Sequence, residues 1–251
     1  MIDFTTTKIR ASALHKIMTE PKEKSAKDAG ELSQTAKTYL KELYIEQFWG
    51  LSRDLQNKFC DKGRMVEEDM ITILCRLDKK LYEKNETKLE NQYFTGTPDI
   101  YNGSDINNAE YLIDGKSSWS PWTFIAKLGE KLDKEYWTQL QIYFDLCNCS
   151  EGEVSYVLCN TPQTLIDDEK RRLFYSMNAG TEENPDYLLA CEEIELSSRF
   201  DHIPLDHRRI KFPVVRDQDF IDKAKEKVEK CRKYLQELHE MHIAGSKIIV
   251  S

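Results

Sequence analysis

The sequence lacks several features that would assign it to a membrane or to an energy-driven machine. No apolar run approaches the roughly 20 residues that a membrane-spanning helix needs. Residues 1–5 do not begin a basic region followed by an apolar one, so we expect no secretory signal peptide. The glycine-rich Gly-x-x-x-x-Gly-Lys-Ser/Thr phosphate loop is also missing, which argues against ATP-driven work. These absences favour a cytoplasmic globular protein without a membrane partner.

Cysteine and histidine patterns typical of metal centres are also scarce. The seven cysteines are odd in number and irregularly spaced, which predicts reduced thiols in a cytosol. Cys147 and Cys149 are separated by one residue rather than the two of a zinc or redox pair. We interpret them as structural, with a metal cluster as the minor alternative. His202 and His207 are close in sequence but have no third partner nearby, so no zinc site is predicted there.

The composition is that of a soluble globular chain with an acidic balance. It has 251 residues, of which 40% are hydrophobic and 32% charged, and its net charge is −8. This charge argues against nonspecific nucleic-acid binding by the whole surface, although a local basic face could still bind. Arg208, Arg209, Lys211 and Arg216 form one basic run. It either touches a DNA backbone or is a solvated connection into the last helix, and the sequence leaves both interpretations open.

Hydrophobic periodicity predicts a mixture of helices and strands. Helices are predicted over residues 33–48, 62–77, 134–147, 162–174 and 217–241. Short strands are predicted over residues 92–94, 98–101, 110–116 and 153–159. We predict loops over residues 19–31 and 176–190, and a short helix capped by Ser12. The order predicts a single α/β domain over residues 1–251, with a mixed sheet flanked by helices.

The stretch from Gly96 to Lys116 concentrates the chemistry. Asp99 follows a Gly-x-Pro turn, and Asp114 and Lys116 are two residues apart in a predicted strand. Residues i and i+2 of a strand point to the same face, so Asp114 and Lys116 should lie side by side. A turn over residues 102–104 can bring Asp99 back against them. Two carboxylates could then hold a hard cation beside an ammonium group.

Two further polar positions flank this stretch. Glu67 lies at the edge of the apolar face of the predicted 62–77 helix, and two interpretations remain open. It is either a rim residue extending to water or an acid aimed at the neighbouring site. Gln139 and Tyr143 are four residues apart and should share a helical face. A neutral glutamine can hydrogen-bond a lysine or a substrate without competing for metal.

Phosphodiester hydrolysis needs parts of this kind. Carboxylates bind Mg²⁺ or Mn²⁺ with room left for water and phosphate. The metal lowers the pKa of the attacking water and neutralises the leaving oxygen. A lysine beside the metal can orient or deprotonate that water. An isolated Asp-x-Lys has little value, and the ordered set of motifs carries the inference.

That ordered set resembles the PD-(D/E)xK nuclease superfamily, and within it the phage alkaline exonucleases of the lambda exonuclease type, also called YqaJ-like recombinases. The matching motifs are Ile9-Arg10-Ala11-Ser12, Gly63-Arg64-Met65-Val66-Glu67-Glu68, Gly96-Thr97-Pro98-Asp99, Ile113-Asp114-Gly115-Lys116 and Gln139-Leu140-Gln141-Ile142-Tyr143. The resemblance runs from about Arg10 to Leu158. Asp114 stands where Glu is commoner, Gly115 offers no side chain, and the four-cysteine iron–sulfur pattern of some relatives is missing.

The resemblance implies a fold and a set of roles. The fold would be a restriction-endonuclease-like core with N-terminal helices and a long C-terminal helix. Asp99 and Asp114 would be metal ligands, with the carbonyl of Gly115 as a third and Glu67 near a second metal. Lys116 and Gln139 would be catalytic supports. The cofactor would be Mg²⁺ or Mn²⁺.

The resemblance also implies an activity and partners. Relatives of this type degrade one strand of linear duplex DNA from a 5′ end, often as a ring trimer alongside a single-strand annealing protein. A phage origin would place the chain in the cytoplasm of a bacterial host. The alternatives are an endonuclease or single-strand nuclease of the same superfamily, or a non-catalytic DNA- or protein-binding module on this fold.

Five residues form the predicted DNA-binding set. Arg10 could contact a terminal phosphate, because a guanidinium can bind phosphate through two hydrogen bonds. Ser12 belongs to the same motif, and Tyr143 shares the face of the glutamine helix. Trp119 and Trp122 either stack on unpaired bases or pack under the sheet, and the sequence leaves both open.

Overall fold

The computed structural model describes residues 3–51 and 58–248, which combine eight strands with ten α-helices. The strands are β1 (Ile9–Arg10), β2 (Glu83–Lys84), β3 (Leu89–Glu90), β4 (Phe94–Gly96), β5 (Ile100–Asn102), β6 (Tyr111–Ser117), β7 (Glu151–Val157) and β8 (Arg209–Val215). The helices are α1 (Leu14–Ile17), α2 (Lys24–Asp28), α3 (Gln34–Trp49), α4 (Lys58–Met65), α5 (Glu67–Asp78), α6 (Pro121–Ile125), α7 (Lys134–Cys147), α8 (Gln163–Met177), α9 (Pro185–Ser198) and α10 (Gln218–Ile248). Four 3₁₀ turns cover Phe4–Thr6, Ala11–Ala13, Ile106–Asn108 and Leu205–His207.

The strands form two sheets. The larger has the order β2-β5-β6-β7-β8, in which only the β6–β7 pair is parallel. The smaller has the order β1-β4-β3 and pairs β1 with β4 in parallel. Helix α7 crosses from β6 to β7, as a parallel pair requires. This architecture confirms the predicted α/β fold with a mixed sheet, N-terminal helices and a long C-terminal helix.

Helices with clear end signals were predicted well. Ser33 accepts a hydrogen bond from the Ala36 amide and starts α3, and Gly50 ends it with φ of +68°. Helix α7 spans the predicted residues 134–147, because its buried stripe continues to Cys147 before Asn148 adopts a left-handed conformation. These boundaries arise from local chemistry that the sequence displays.

Two helical predictions were wrong. The predicted 62–77 helix is split, because Val66 leaves helical geometry between α4 and α5. The predicted 176–190 loop contains the end of α8 and the start of α9, which Asn184 caps through its side chain. Pro185 is the first residue of α9, a position at which proline costs no hydrogen bond.

Three smaller expectations also changed. The basic run at 208–216 is largely strand β8 at the edge of the larger sheet, rather than a solvated connection. Residues 19–31 contain the short helix α2. Ser12 lies inside a 3₁₀ turn and caps no helix.

Two apolar clusters cover the faces of the larger sheet. One joins the N-terminal segment, α3, α7 and α10 around residues such as Leu40, Phe94 and Phe144. The other packs α5 against the opposite face around Met70, Leu74 and Ile113. Among residues 3–51 and 58–248, no helix has both the length and the apolar character to cross a bilayer.

Candidate active site

The strand β6 brings an acid and an amine together, as its two-residue period predicts. Asp114 is fully buried, and the Lys116 Nζ atom donates to its Oδ1 atom at 2.9 Å. The charges of Asp114 and Asp99 stabilise the ammonium form. Burial alone lowers the pKa of Lys116, but these charges outweigh it and raise that pKa. Lys116 is therefore a cation held against the acids.

The β5–β6 hairpin brings in the second acid. Ile100 pairs with Ile113 in antiparallel register, and continuing that register by one residue sets Asp99 opposite Asp114. Asn85 holds the backbone there, because its backbone N–H donates to the Asp99 carbonyl at 2.9 Å and continues the pairing of β2 with β5 by one residue. Its Nδ2 atom donates to the Pro98 carbonyl, also at 2.9 Å. Asn85 is buried, and the sequence analysis did not identify it.

The charges and hydrogen-bonding groups of the protein do not fully compensate the two acids, Asp99 and Asp114. Burial and then the charge of Asp114 raise the pKa of Asp99 well above its usual range, against the opposing charge of Lys116. The Oδ2 atom of Asp114 is buried and has no hydrogen-bond partner within the described part of the chain. A buried carboxylate oxygen without a partner is costly, so this position favours a cationic ligand.

The donor set fits a hard cation that keeps some of its water. Mg²⁺ is commonly bound by one or two carboxylates plus waters and substrate phosphate. Asp99 and Asp114 supply such a pair. Across residues 3–51 and 58–248, no group of three His, Cys, Asp or Glu side chains is arranged to hold a metal. The fit therefore rests on two carboxylates and on ligands from outside the side chains.

The glycine between Asp114 and Lys116 has a packing reason. A Cβ atom at Gly115 would lie 2.8 Å from the sulfur of Met70, on α5. The helix can pack this closely against β6 only because residue 115 has no side chain. This explains why the motif carries glycine there, while the role of its carbonyl as a metal ligand stays a prediction.

Glu67 is the first residue of α5, at the split between the two helices. Its Oε2 atom lies 3.2 Å from the Nζ atom of Lys84 on β2, and its side chain is partly exposed. Its charge contributes to the raised pKa of Asp99. Glu67 is thus partly exposed, as expected of a rim residue. Its charge also acts on Asp99, as expected of an acid near the site. The sequence analysis did not identify Lys84.

Gln139 contacts a tyrosine rather than the lysine. Its Nε2 atom donates to the Tyr143 hydroxyl at 2.8 Å, one turn along α7, and both side chains are buried. Burial and the charges of Asp114 and Asp99 raise the pKa of Tyr143. The hydroxyl therefore lies within the field of the two acids, and Gln139 orients it.

Tyr136 is a further residue that the sequence analysis missed. The Nζ atom of Lys116 lies 4.7 Å from the centroid of its ring. A cation over a ring face gains electrostatic stabilisation, so Tyr136 helps to hold the amine over the site. Its position one turn before Gln139 on α7 was the available signal, because residues three apart share a helical face.

Arg10 and Ser12 line a cavity that includes Tyr143 but neither Asp99 nor Asp114. Its volume is about 230 Å³, and Lys88 and Thr97 also line it. Arg10 is half-exposed and forms an ion pair with Glu46. The predicted residues Arg10, Ser12 and Tyr143 are thus brought together in one opening, with Lys88 as an unpredicted cation.

The two tryptophans differ in exposure. Trp119 is half-buried, and its ring lies 5.3 Å from the Nζ atom of the buried Lys62, which donates to the carbonyls of Ser118 and Trp119. Trp122 begins the exposed side of α6, with 74% of its surface accessible. Trp119 is therefore partly packed against the protein, whereas the side chain of Trp122 is largely exposed to solvent.

Solved structures resemble the chain over nearly its whole length. A phage-related exonuclease from Haemophilus somnus 129PT superposes with a TM-score of 0.72 at 30% sequence identity, covering 94% of this chain and 97% of that one. The alkaline exonuclease LHK-Exo from Laribacter hongkongensis superposes with a TM-score of 0.63 at 15% identity, covering 97% and 96% of the two chains. LHK-Exo has also been solved in complex with dAMP, with a TM-score of 0.62 to this chain. The chain matches no protein-family model and no curated protein sequence.

Proposed function

Because this chain belongs to the phage-type alkaline exonucleases, the lambda exonuclease-like branch of the PD-(D/E)xK nucleases, we propose that it is a metal-dependent exonuclease acting on linear duplex DNA. It hydrolyses phosphodiester bonds and digests one strand from the 5′ end. One observation carries the proposal: Asp99, Asp114 and Lys116 converge, and the Oδ2 atom of Asp114 is buried without a protein partner.

The residues divide the chemistry between them. Asp99 and Asp114 would hold Mg²⁺ or Mn²⁺, with the Gly115 carbonyl and Glu67 as further ligands. When bound, the ion supplies a Lewis acid that acidifies water and neutralises charge on the phosphate. Lys116, which donates a hydrogen bond to Asp114, would orient the attacking water and offset the charge that develops on the phosphate. Gln139 orients the Tyr143 hydroxyl, and Tyr136 restrains the Lys116 amine.

The cavity lined by Arg10, Ser12 and Tyr143 suits a DNA end. Arg10 and Ser12 would bind the terminal 5′ phosphate, because a guanidinium and a hydroxyl both donate to phosphate oxygens. Tyr143 lines the same cavity and also faces the acids, so it links the two. Trp119 and Trp122 would contact bases near the end, Trp122 by stacking from its exposed position.

The wider setting follows from the family. The substrate partner would be a duplex end, and the chain would work with a single-strand annealing protein, as a ring trimer. Its location would be the cytoplasm of a bacterial host, and residues 1–251 would act as a single domain. Sedimentation of the purified protein at several concentrations tests the trimer directly.

Digestion of 5′-phosphorylated linear duplex DNA tests the proposal. The wild type should release mononucleotides when Mg²⁺ is present, and Asp114→Ala and Lys116→Ala should not. A circular duplex should survive, and a duplex labelled at one 5′ end should lose its label first. A duplex lacking the 5′ phosphate should be digested more slowly, and Arg10→Ala should lose this preference.

The alternatives give different products. Cleavage of circular or nicked DNA would indicate an endonuclease of the same superfamily. Preference for single strands would indicate a single-strand nuclease. DNA binding without cleavage in Mg²⁺ or Mn²⁺ would indicate a binding module, and the acids would then be an inherited scaffold.

A further inference from the structure

The helical hairpin of α8 and α9 stands apart from the nuclease core. It is inserted between β7 and β8, and its two helices pack mainly on each other. One side of the hairpin is closed by the edge-to-face rings of Phe174 and Tyr187, 5.2 Å apart, and by the Lys170–Glu195 ion pair at 2.7 Å. None of the residues predicted for catalysis lies in it.

Another side of the same hairpin is an open groove. Its lining repeats with helical spacing on both helices: Glu169, Arg172, Leu173 and Ser176 from α8, and Ala190, Glu193, Ile194 and Ser197 from α9. The groove encloses about 540 Å³. A second cavity of about 240 Å³ continues it toward Trp119, sharing Glu169, Ile194 and Ser197. Together they form a channel along two antiparallel helices, the shape that receives a third helix.

Large apolar side chains stand exposed on the hairpin. Tyr175 on α8 is 70% exposed, and Leu196 on α9 is 74% exposed. Leu189 is also exposed and lies seven residues before Leu196, so the two share one side of α9. None of the three lines the groove, but each is next in sequence to a residue that does: Tyr175 to Ser176, Leu189 to Ala190 and Leu196 to Ser197. They therefore border the groove with exposed apolar surface that another molecule can cover.

The hairpin also carries most of the net negative charge of the chain. Residues 163–198 contain nine acids and three basic residues, a net charge of −6 out of −8 for the whole sequence. Helix α9 has four acids and no lysine or arginine. Such a surface repels a DNA backbone and attracts a cationic partner. The proposed DNA-contacting residues Trp119 and Trp122 line the adjoining second cavity and are not part of the lining of the groove itself.

A second copy of the chain is a poor match for this surface. Its most lysine-rich element is α10, in which seven basic residues are balanced by six acids. The other basic run, along β8, is already paired within the chain: Arg209 and Lys211 bind Glu153, and Arg216 binds Asp145. Neither of these two elements therefore offers the block of positive charge that the hairpin would attract. Charge complementarity points instead to another protein.

We propose that the α8–α9 groove docks an amphipathic α-helix of a different protein, whose apolar face fills the groove and whose flanking lysines and arginines meet the acids of the hairpin. Apolar residues at helical spacing would contact Leu173, Ile194 and the exposed Leu196. The interaction joins apolar burial with charge attraction, so it weakens as salt rises. It does not depend on the nuclease activity proposed above.

A synthetic helical peptide tests this surface. The probe is a labelled peptide of about 18 residues with leucines at i, i+3, i+4 and i+7 and lysines elsewhere. Its binding to the full chain is followed by fluorescence anisotropy, alongside a peptide with the same leucines and glutamates in place of the lysines. The lysine peptide should bind at least about tenfold more tightly, a difference of about 1.4 kcal/mol.

Three variants locate the binding. Ala190→Trp fills the groove and Glu193→Lys reverses a groove charge, and each should weaken the lysine peptide about tenfold. Glu226→Lys makes the same charge change at an exposed position of α10 and should alter binding less than about twofold. DNA digestion by all three should equal that of the wild type, which also shows that they are folded.

Each contrary result overturns the proposal. Equal binding of the two peptides would remove the charge argument. If Glu193→Lys and Glu226→Lys weaken binding of the lysine peptide equally, the groove is not the binding site. If Glu193→Lys or Ala190→Trp dissociates an oligomer during sedimentation, the groove belongs to a second copy. Tighter DNA binding by Glu193→Lys together with weaker DNA binding by Ala190→Trp would place DNA there instead.

Discussion

Two buried carboxylates on neighbouring strands have opposite environments. Asp114 on β6 and Glu153 on β7 are both fully buried. Ile113, and not Asp114, pairs with Glu153 in the parallel register, so the two acids point to opposite faces of one sheet. They differ in how their oxygens are satisfied.

Glu153 is saturated by the protein. Arg209 binds it, Lys211 Nζ lies 2.5 Å away, and the hydroxyls of Tyr111 and Ser155 donate at 2.7 Å. Burial alone would raise the pKa of Glu153, but these hydrogen bonds outweigh it and lower that pKa. The Oδ1 atom of Asp114 accepts a bond from Lys116, while its Oδ2 atom has no hydrogen-bond partner within the described residues.

The difference separates a structural acid from a candidate catalytic one. A carboxylate whose bonds are all made by its own chain leaves nothing for a ligand. One that is buried, unsatisfied and next to a second acid is destabilised until a cation arrives. The same residue chemistry therefore serves stability on one face and, in our proposal, catalysis on the other.

Asp114→Asn should give the largest effect. Removing the charge should lower DNA digestion by roughly 10³-fold or more, because charge stabilisation by the bound ion is lost. The free energy of unfolding without metal should change by less than about 1 kcal/mol, since repulsion with Asp99 is relieved. Activity assays and denaturant unfolding measure the two quantities.

Metal binding in the absence of DNA should differ between Asp114→Asn and the wild type. Mg²⁺ should raise the melting temperature of the wild type, because a ligand that binds only the folded state stabilises it. The melting temperature of Asp114→Asn should not respond. An equal rise in both proteins would place the ion elsewhere.

Glu153→Gln should have the opposite outcome. It leaves the buried Arg209 with only part of its ionic partners, so the free energy of unfolding should fall by about 3 kcal/mol. Digestion under conditions where the variant is folded should stay near that of the wild type. Glu151→Gln, at an exposed position of the same strand, is the matched control and should be nearly neutral. A large activity loss at full stability would contradict the assignment.

Asn85→Ala tests whether the backbone of Asp99 must be held. Loss of the bond to the Pro98 carbonyl should lower kcat about tenfold, with KM for DNA nearly unchanged, because the acid is displaced. The control is Asn91→Ala, which removes the hydrogen bonds that its side chain accepts from the amides of Tyr93 and Phe94 and the one it donates to Asp145. It should cost similar stability, about 1–3 kcal/mol, without the kcat effect. If both variants have the same kcat, Asn85 does not position Asp99.

The smallest effect is the pH dependence of stability. Because the pKa of Glu153 is lower in the folded state than in the unfolded chain, its contribution is present above the unfolded value, about 4.3. It is lost as the pH falls through the folded value. Unfolding measured between about pH 6 and 3 should show a shallower decline in Glu153→Gln than in the wild type. Parallel declines would mean that Glu153 is not the group responsible.

Local patterns in the sequence predicted much of the fold and the centre of the site. The two-residue period of a strand placed Asp114 beside Lys116, and a turn between short strands brought Asp99 back. Helix α7 was predicted with its observed bounds, because its buried stripe and its end are local features. Family resemblance then supplied the expectation of a nuclease, which the solved relatives support.

Helix α9 shows where periodicity failed. Its apolar residues are spread around the helix rather than gathered on one face, since Tyr187 faces α8 while Leu189 and Leu196 are exposed. A helix without an apolar stripe gives no periodic signal. The glycine and proline near its start then favoured a loop.

The sequence by itself determined which residues could share a strand face or a helical face, because those spacings follow from backbone geometry. Only the tertiary structure decided which buried acid is satisfied. Arg209 binds both Glu153 and Asp78, the latter 131 positions away, and Asn85 reaches the turn before Asp99. Such contacts depend on how distant segments pack, and no local spacing encodes them. The unpaired oxygen of Asp114 is a property of that packing.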